Sequence, residues 1–423
     1  MKLSRYNYYH NAEGTYLIYN VLAGTYVVLT IETMNLLNTC IENICSLKDK
    51  HIELYNTLIS NGMLVDKDLD ETYHCVEVLR SRFQNNGVLS LTINPTLNCN
   101  VNCWYCYENH KASKMSPEII LSIQRLIQNK VKSENISKIH LGFFGGEPLL
   151  HFDDCVLPII EFAYDYSQKR NLDLSISFTT NAILMNTKLI DKLVSFGVPI
   201  NIQVPFDGNE TFHNKVKISK VNTYQHTLLN VKYAISKGVD TIVRCNYTNQ
   251  SVNSFSELIV DLQDDIKLYP DKINFSFQKI WQIKETPETI LSVEKLERMV
   301  HDSKGTFYDS SLDISSCYAD YNNSFVINYN GDVYQCTARD FTDDTKEGVL
   351  NLNGTITYNE RYHNRMKSLY DNEICKQCLV WPICNACSQK RLEKHNNQCV
   401  LNLTEVERYS KIKGIVNRII KNL

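Results

Sequence analysis

From residue 90 onward, short β-rich runs alternate with stretches whose apolar residues recur at helical spacing. This alternation is typical of repeated βα units around a parallel sheet. The stretch 116–132 begins with Ser-Pro-Glu and the stretch 187–196 ends at Gly197, as helices should. Six strands are predicted, at residues 89–94, 138–144, 174–179, 199–204, 241–247 and 272–277. The pattern therefore predicts an α/β fold, a partial (β/α)6 TIM-like barrel with its reactive loops at the carboxyl ends of the strands.

The first 85 residues follow a different pattern. Two short β runs begin at Gly14 and Gly24, helical stretches pass through Leu37 and Leu54, and a short apolar run closes the segment. This order predicts a small α+β winged-helix-like domain. Three domains are therefore expected, at residues 1–85, 86–304 and 305–423, and the last should end in an amphipathic helix that begins near Thr404.

Length and charge narrow the possible functions. A chain of 423 residues is long enough for two or three domains. The formal net charge of -3, with no block of lysine or arginine, argues against nucleic acid or an anionic membrane as the main partner. No apolar run approaches the ~18 residues that span a bilayer, and the first residues do not resemble a signal peptide. We expect a cytosolic protein.

The fifteen cysteines indicate metal binding, because thiols stay reduced in the cytosol. Five lie singly in apolar stretches and are expected to be core residues: Cys40, Cys45, Cys75, Cys155 and Cys245. The other ten fall into two groups with ligand-like spacing.

The first group is the run Cys99-Asn-Val-Asn-Cys103-Trp-Tyr-Cys106. Three thiolates at this spacing can ligate three irons of a [4Fe-4S] cluster, which normally takes four cysteines. The fourth iron would then be open to a substrate. A structural zinc site is the alternative, and it would need a fourth protein ligand, for which His110 lies close by.

This run resembles the motif of the radical S-adenosylmethionine (SAM) superfamily, which also places an aromatic residue, here Tyr105, before the last cysteine. The resemblance implies that Cys99, Cys103 and Cys106 hold the catalytic, SAM-binding cluster. It also implies contacts to the amino group of SAM from the loop after the second strand, to the ribose from the end of the third, and to the carboxylate from the fifth. The residues concerned are Tyr105, Gly145, Gly146, Glu147, Pro148, Thr180, Asn181, Arg244 and Asn246.

Each of these SAM-binding motifs also has an ordinary interpretation. Gly-Gly-Glu-Pro alone is a turn, and an isolated strand arginine such as Arg244 often forms a surface ion pair. The glycine that often follows the third-strand motif in the superfamily is Ala182 here. Asp207, at the end of the fourth strand, can cap a turn with Gly208.

The second cysteine group resembles the SPASM domain, whose pattern includes Gly-x4-Cys and a series of closely spaced cysteines. Its members are Cys317, Cys336, Cys375, Cys378, Cys384, Cys387 and Cys399. One gap departs from the family, because two residues separate Cys384 from Cys387 where three are usual. The resemblance implies an outer auxiliary [4Fe-4S] cluster on Cys375, Cys378, Cys384 and Cys399, and an inner one on Cys317, Cys336 and Cys387. A zinc ribbon is the alternative, although its pairs are usually ~12–20 residues apart.

Together these resemblances imply an oxidoreductase that matures ribosomal peptides. Reductive cleavage of SAM would give a 5'-deoxyadenosyl radical that removes hydrogen from a precursor peptide, which leads to a thioether, C–C or C–O cross-link. The amino-terminal domain resembles those that bind a leader peptide along a sheet edge. An electron donor such as flavodoxin or ferredoxin would supply the electron.

Two other functions stay open at this stage. Anaerobic sulfatase maturases, which oxidise Cys or Ser to formylglycine, carry an aspartate directly after the cysteine of Gly-x4-Cys, where this chain has Thr337, with Asp340 in a different register. A non-catalytic iron-sulfur electron carrier or redox sensor is the alternative of another class.

Overall fold

The structure, a computed structural model, describes residues 1–12, 15–84, 87–307, 317–394 and 398–421. Two compact units are present. The terminal unit comprises Met1–Asn86, Ile314–Asn322 and His363–Leu423, and the barrel unit comprises Gly87–Asp313 and Asn323–Tyr362. Both units are discontinuous in sequence, and the first predicted boundary, after residue 85, lies one residue from the end of the segment Met1–Asn86. The functional division into three domains stays a prediction.

The terminal unit begins with short strands and helices. Its first strands are β1 Lys2–Leu3, β2 Asn7–Ala12, β3 Thr15–Asn20, β4 Thr25–Leu29 and β5 Leu64–Val65, and its first helices are α1 Ile31–Thr39, α2 Ser46–Lys50, α3 Ile52–Ser60 and α4 Glu71–Gln84. β2, β3 and β4 form an antiparallel sheet, and β1 pairs with β5. The two predicted β runs correspond to β3 and β4, although Gly14 itself lies outside the described residues. β2 and α4 were not predicted.

The barrel unit is built on one sheet of eleven strands. They are β6 Val88–Ile93, β7 Lys138–Phe143, β8 Asp173–Thr179, β9 Ile200–Phe206, β10 Asp240–Tyr247, β11 Ile273–Lys279, β12 Thr306–Phe307, β13 Ser324–Ile327, β14 Asp332–Tyr334, β15 Gly348–Leu350 and β16 Ile356–Tyr358. The strands from β6 to β12 are adjacent in chain order and parallel. The six predicted strands and the α/β architecture are therefore confirmed.

Helices connect the parallel strands of this sheet. They are α5 Pro117–Ser133, α6 Leu157–Arg170, α7 Thr187–Val194, α8 Glu210–Val216, α9 Thr223–Ser236, α10 Phe255–Asp261, α11 Gln263–Leu268 and α12 Pro287–Asp302. The predicted helices at 116–132 and 187–196 match α5 and α7 to within two residues at each end. Single turns also occur at Pro148–His151, Phe152–Val156, Val252–Ser254 and Pro270–Lys272.

The two faces of the parallel strands differ in chemistry. Leu91, Leu141 and Ile176 point to one face, are buried, and pack in the same core as the apolar residues of the helices. The alternate residues are polar and only partly buried, for example His140 and Gln203. A parallel sheet is usually apolar on both faces. The polar, accessible face is therefore available for a ligand.

The sheet continues beyond the six predicted strands. β13 pairs in parallel with β6, and the antiparallel strands β14, β15 and β16 follow it. Residues 323–362, which were predicted to belong to the carboxyl-terminal domain, thus extend the sheet of the barrel unit. All four residues of β13 are buried, so its sequence shows no alternation that would mark it as a strand.

The remaining helices complete the terminal unit. They are α13 Glu360–Ser368, which spans the boundary between the units, α14 Glu373–Gln377, α15 Ser388–Glu393 and α16 Glu405–Lys421, with single turns at Tyr318–Asp320 and Trp381–Ile383. The predicted carboxyl-terminal helix is confirmed as α16. Its Ile412 and Val416 pack against Leu17 and Tyr19 of β3. Among the described helices, none has the length and apolar character needed to cross a bilayer.

Candidate functional site

The sequence-predicted SAM site is assembled at one edge of the barrel unit. Because β6 to β10 are parallel, the segments that follow them emerge at the same edge of the sheet. The cysteine run follows β6, Gly145-Gly146-Glu147 follows β7, Thr180-Asn181 follows β8, and Arg244 and Asn246 lie near the end of β10. Parallel pairing thus brings together motifs that are up to about 150 residues apart in the chain.

The three-cysteine loop is fixed at its base by hydrogen bonds. Thr96 Oγ1 donates to the carbonyl of Ser113 at 2.6 Å, and Leu97 N donates to Ser113 Oγ at 2.9 Å, so the two ends of the loop are tied together. Within it, Cys106 N donates to the carbonyl of Cys103 at 3.0 Å. The cysteine positions are therefore set by a closed loop rather than by a free segment.

The thiols of this loop lie close enough to influence one another. Burial, with a smaller contribution from the neighbouring thiols, raises the pKa of Cys99 to about 12 and that of Cys103 to about 11. All fifteen cysteines are free of disulfides. Within the described ranges, no three His, Cys, Asp or Glu side chains converge on a single metal ion. The donor set, three unpaired thiols on one closed loop, suits three separate irons of a cluster.

The two glycines after β7 lie against the base of the cysteine loop. A Cβ at Gly146 would lie 2.2 Å from the carbonyl oxygen of Asn98, and one at Gly145, where φ is +98°, would lie 2.4 Å from that of Thr96. Glu147 N also donates to Asn98 O at 2.8 Å. Only glycine permits two backbones to come this close. From the sequence alone, the two glycines could equally have indicated a close approach of the backbone to a ligand.

Glu147 follows β7 and forms hydrogen bonds with the segments that follow β6 and β8. Its buried carboxylate accepts hydrogen bonds from Thr180 Oγ1 at 2.7 Å, Leu149 N at 3.0 Å and Asn181 N at 2.8 Å. Burial raises the pKa of Glu147 to about 7, although these bonds oppose the shift. The predicted contact of Glu147 with the amino group of SAM stays a prediction, because the partners present here all belong to the chain.

The third-strand motif reaches the first cysteine. Asn181 Nδ2 donates to Asn100 Oδ1 at 2.7 Å and lies 3.9 Å from Cys99 Sγ. The next residue, Ala182, has a left-handed backbone with φ of 58°. This conformation favours glycine, which explains why a glycine often occupies this position in the resembled family. The structure therefore brings Thr180 and Asn181 beside Cys99, and their contact with the ribose of SAM stays a prediction.

The fourth and fifth strands contribute a network around Tyr105. The Tyr105 hydroxyl donates to Asp207 Oδ1 and accepts from Asn246 Nδ2 at 3.0 Å. Arg244 Nε donates to Asn246 Oδ1 at 2.9 Å. No carboxylate lies within ion-pair distance of Arg244 among the residues that the structure describes. The guanidinium of Arg244 is thus available to an anionic ligand on the polar face.

A buried lysine supports the network and was missed by the sequence analysis. Lys217 Nζ donates to Asp207 Oδ2 and, at 2.9 Å, to the carbonyl of Pro205. Both side chains of the ion pair are at most 2% exposed. Lys217 follows α8 directly and belongs to no motif, so only the fold shows that it meets Asp207. The expected turn-capping role of Asp207 is replaced by this ion pair and by the bond from Tyr105.

Acidic and aromatic residues beyond the third cysteine were also missed. Glu108 lies near Asp340 of the β14–β15 segment, and burial together with that charge raises the pKa of Glu108 to about 7. Asn109 Nδ2 donates to Asp340 Oδ2. The rings of Tyr107 and Trp281 stack at 5.2 Å. Asp340 therefore lies beside the cysteine loop although its register differs from that of sulfatase maturases.

The terminal unit brings the predicted outer cysteines together. Cys375, Cys378, Cys384 and Cys399 line one small cavity whose other walls are mostly apolar. Trp381 also lines it and is buried, and its indole Nε1 has no hydrogen-bond partner among the described residues. An apolar cavity with four thiols and an orphaned donor fits an iron-sulfur cluster, whose sulfur atoms accept hydrogen bonds.

The predicted inner cysteines are divided between the two units. Cys317 and Cys387 are hydrogen-bonded in the terminal unit, which raises the pKa of Cys317 and lowers that of Cys387 to about 6. Cys336 follows β14 in the barrel unit. The fit of the three cysteines to one cluster therefore stays a prediction.

Residues 93–262 match the model of the Radical SAM superfamily. The chain contains a radical SAM domain. This match includes the three-cysteine loop and every motif predicted to contact SAM. The family accordingly implies a [4Fe-4S] cluster and SAM as cofactors of this domain.

Individual proteins are similar to this chain in sequence. An uncharacterized protein of Methanocaldococcus jannaschii is 26% identical over 263 residues, which are 59% of this chain and 85% of the relative. Other curated relatives match over smaller shares of their own length, such as 37% of the radical SAM cyclopropyl synthase TigE of Paramaledivibacter caminithermalis, which is 24% identical over 38% of this chain.

Two solved structures resemble most of this chain. The structure of anSMEcpe with bound AdoMet and Cp18Cys peptide has a TM-score of 0.58 at 19% identity and covers 79% of this chain and 98% of its own. Streptococcus suis SuiB bound to precursor peptide SuiA has a TM-score of 0.53 at 17% identity and covers 95% of this chain and all of its own. These likenesses show the fold, an α/β radical SAM architecture with a carboxyl-terminal extension.

We predict that Gly146→Ala displaces the cysteine loop, because its Cβ would overlap the backbone of Asn98. Overpacking of this kind costs about 1–3 kcal/mol of unfolding free energy, and a shift of about 1 Å in a reacting group costs about 100-fold in rate. Formation of 5'-deoxyadenosine from SAM measures the second effect. Gly414→Ala, with no atom near its Cβ, is the control, and equal activity in the two variants would contradict the prediction.

Lys217→Met should destabilise the protein by about 3–5 kcal/mol, because it leaves the Asp207 carboxylate buried without a counter-charge. Urea unfolding measures the loss, and adding Asp207→Asn should restore part of it. Lys192→Met breaks an exposed ion pair with Glu161 and should cost less than about 1 kcal/mol. Equal losses for the two lysines would show that the buried pair does not stabilise the fold.

Proposed function

We propose that this chain is a radical SAM/SPASM maturase that oxidatively cross-links a ribosomally made precursor peptide. The observation that carries the proposal is the meeting of the Cys99, Cys103 and Cys106 loop with the motifs of four other strand ends at the accessible, polar face of the sheet. The chemistry that the cluster and SAM supply when bound is one-electron cleavage of the sulfonium to a 5'-deoxyadenosyl radical, which takes hydrogen from the substrate.

The residues of the chain would bind and orient the reactants. Cys99, Cys103 and Cys106 would be the cluster ligands, and Arg244, which has no carboxylate partner among the described residues, would bind the carboxylate of SAM. Thr180 and Asn181 would contact the ribose, and Asn181 is already fixed beside Cys99. The amino group of SAM would lie against the loop formed by Gly145, Gly146, Glu147 and Pro148.

The auxiliary clusters belong to the same proposal. The cavity lined by Cys375, Cys378, Cys384 and Cys399 would hold the outer cluster, and Cys317 and Cys387, with Cys336, the inner one. Two clusters that accept electrons would make the net reaction an oxidation. An electron donor such as flavodoxin or ferredoxin would reduce the SAM-binding cluster.

A peptide substrate is supported by the two structural neighbours, anSMEcpe and SuiB, both of which carry peptides in the structures compared. Of these two, SuiB accounts for 95% of this chain and the sulfatase maturase anSMEcpe for 79%. The larger coverage favours the peptide-maturase function over formylglycine formation. Thr337, in place of the aspartate expected of sulfatase maturases, points the same way.

The three-stranded sheet of the terminal unit offers an edge for a leader peptide. β4 pairs only with β3 among the described strands. Tyr26 and Val28 of β4 are 41% and 44% exposed and lie on the face that α16 covers over β3. An extended peptide paired with β4 would gain backbone hydrogen bonds and would bury these two side chains. We therefore propose β4 as the leader-binding edge.

The radical SAM function predicts that anaerobically reconstituted, reduced protein converts SAM to 5'-deoxyadenosine and that Cys103→Ala abolishes this activity. The reason is that two thiolates cannot hold the cluster with one defined open iron. Liquid chromatography of the nucleoside products measures the activity, and Cys45→Ala, an exposed cysteine, is the control. A reconstituted protein that holds its clusters and forms no 5'-deoxyadenosine would instead be an electron carrier or redox sensor.

The leader-binding proposal predicts that Tyr26→Asp weakens binding of a precursor peptide at least about tenfold, because a charge would be desolvated at the new strand. The probe is a synthetic candidate precursor peptide, sought among the reading frames adjacent to the gene, and fluorescence anisotropy measures its affinity. Tyr9→Asp changes a comparably exposed tyrosine on the opposite edge strand and should bind normally. Equal loss in both variants would contradict β4 as the edge, and SAM cleavage without peptide should be unchanged in both.

A further inference from the structure

Two arginines of the terminal unit contact cysteines that line the four-cysteine cavity. Arg391 of α15 donates from Nη1 to Cys375 Sγ at 2.7 Å, and Arg408 of α16 donates from Nη1 to Cys378 Sγ at 3.7 Å. The cavity is thus approached by a cation from two different helices. None of the motifs used to recognise the cysteine pattern includes either arginine.

The surroundings of Arg391 show why this contact is unusual. The side chain is 5% exposed, and its Nε donates to the carbonyl of Ala386 at 2.9 Å. Among the described residues no carboxylate lies within ion-pair distance of it. Asp320, the carboxylate whose charge it influences, instead accepts from Ser388 N at 2.8 Å. Because a buried cation is costly unless it is compensated, Arg391 depends on the Cys375 sulfur that it contacts directly and on the charge of Asp320, which lies beyond ion-pair distance.

Arg408 is a second arginine that contacts a cysteine of the cavity, and it is more accessible to solvent than Arg391. It is half-buried, and no carboxylate among the described residues pairs with it. Its Nε has no hydrogen-bond partner in the same part of the structure. The side chain of Arg408 also lines the cavity that holds Cys399, another of the four cysteines. Two guanidinium groups therefore face one set of four thiols.

We infer that Arg391 and Arg408 raise the reduction potential of the outer cluster by donating N–H···S hydrogen bonds from positively charged groups to two of its cysteine ligands. The inference rests on the proposed outer cluster. Reduction adds one electron, so the reduced cluster is the more negative form, and nearby cations and hydrogen bonds to sulfur stabilise it more than the oxidised form. Arg391 has the larger effect because it is buried, whereas solvent screens Arg408.

The charge on the outer cluster has a functional consequence. An electron removed from the substrate radical needs an acceptor that is easily reduced. The two arginines make the outer cluster such an acceptor without adding any ligand to iron. They are positioning residues, because they act through Cys375 and Cys378 and do not contact the reacting carbon.

The experiment is a redox titration followed by electron paramagnetic resonance on the reconstituted full-length chain, with Cys99, Cys103 and Cys106 replaced by alanine. This background leaves only the auxiliary signals. The resonance of the outer cluster is assigned with two further variants: it should disappear in Cys384→Ala and persist in Cys317→Ala. Arg391→Gln is expected to shift its midpoint potential to more negative values, Arg408→Gln to shift it less, and Arg391→Lys, which keeps the charge, to shift it less than Arg391→Gln. Arg418→Gln, on the exposed side of α16, is the matched control and should not shift it.

The outcomes separate the inference from the function on which it rests. An outer signal of normal intensity whose potential is the same in wild type and Arg391→Gln would overturn the role of the arginines and leave the outer cluster intact. Zinc, or no iron, at the four cysteines would overturn both the auxiliary cluster and the inference. If Arg391→Gln does not fold, the pair Arg391→Lys and Arg408→Gln decides by the same measurement.

Discussion

The candidate site depends on one close backbone contact, between Gly145-Gly146 after β7 and the segment 96–98 at the base of the cysteine loop. No side chain fits between these backbones, so the loop is held directly against the neighbouring strand end. The same contact places Glu147 where it accepts from Thr180 and from the backbone of Asn181. Through Asn181 the third strand end reaches Cys99, and the first three βα units form one rigid support for the loop.

Buried charges distinguish the two halves of this support. On the side of Cys99, the Glu147 carboxylate accepts from one hydroxyl and two backbone N–H groups, and burial raises its pKa to about 7. On the side of Cys103, the Asp207 carboxylate is matched by Lys217 and also accepts from Tyr105. The cysteine loop is thus held between Glu147, which has no ion-pair partner among the described residues, and the Asp207–Lys217 ion pair. These are different electrostatic environments within one site.

Buried cations are also compensated in the terminal unit, where the acceptor atoms are cysteine sulfurs and not carboxylate oxygens. Arg391 and Arg408 have no carboxylate partners among the described residues, and their nearest anionic candidates are Cys375 and Cys378. Lys217 and these arginines are cations in buried or half-buried positions, and each donates to an acceptor that lies 10 to 30 residues away in the chain. Charge compensation therefore links chain segments in both units, although the surface charges are nearly balanced and carry no comparable information.

The sequence by itself determined the βα repeat, the placement of the cysteine run after the first strand, and the order of the motifs along the chain. It could do so because alternation of polar and apolar residues and the spacing of cysteines are local properties. Only the tertiary structure decided that β13 joins the sheet beside β6, that Lys217 meets Asp207, and that Arg391 meets Cys375. These contacts join residues that no local pattern connects, and burial made each partner necessary only once the chain had folded. The glycines at 145 and 146 illustrate both cases. The sequence shows that they are glycines, but only the tertiary structure shows which backbone segment lies against them.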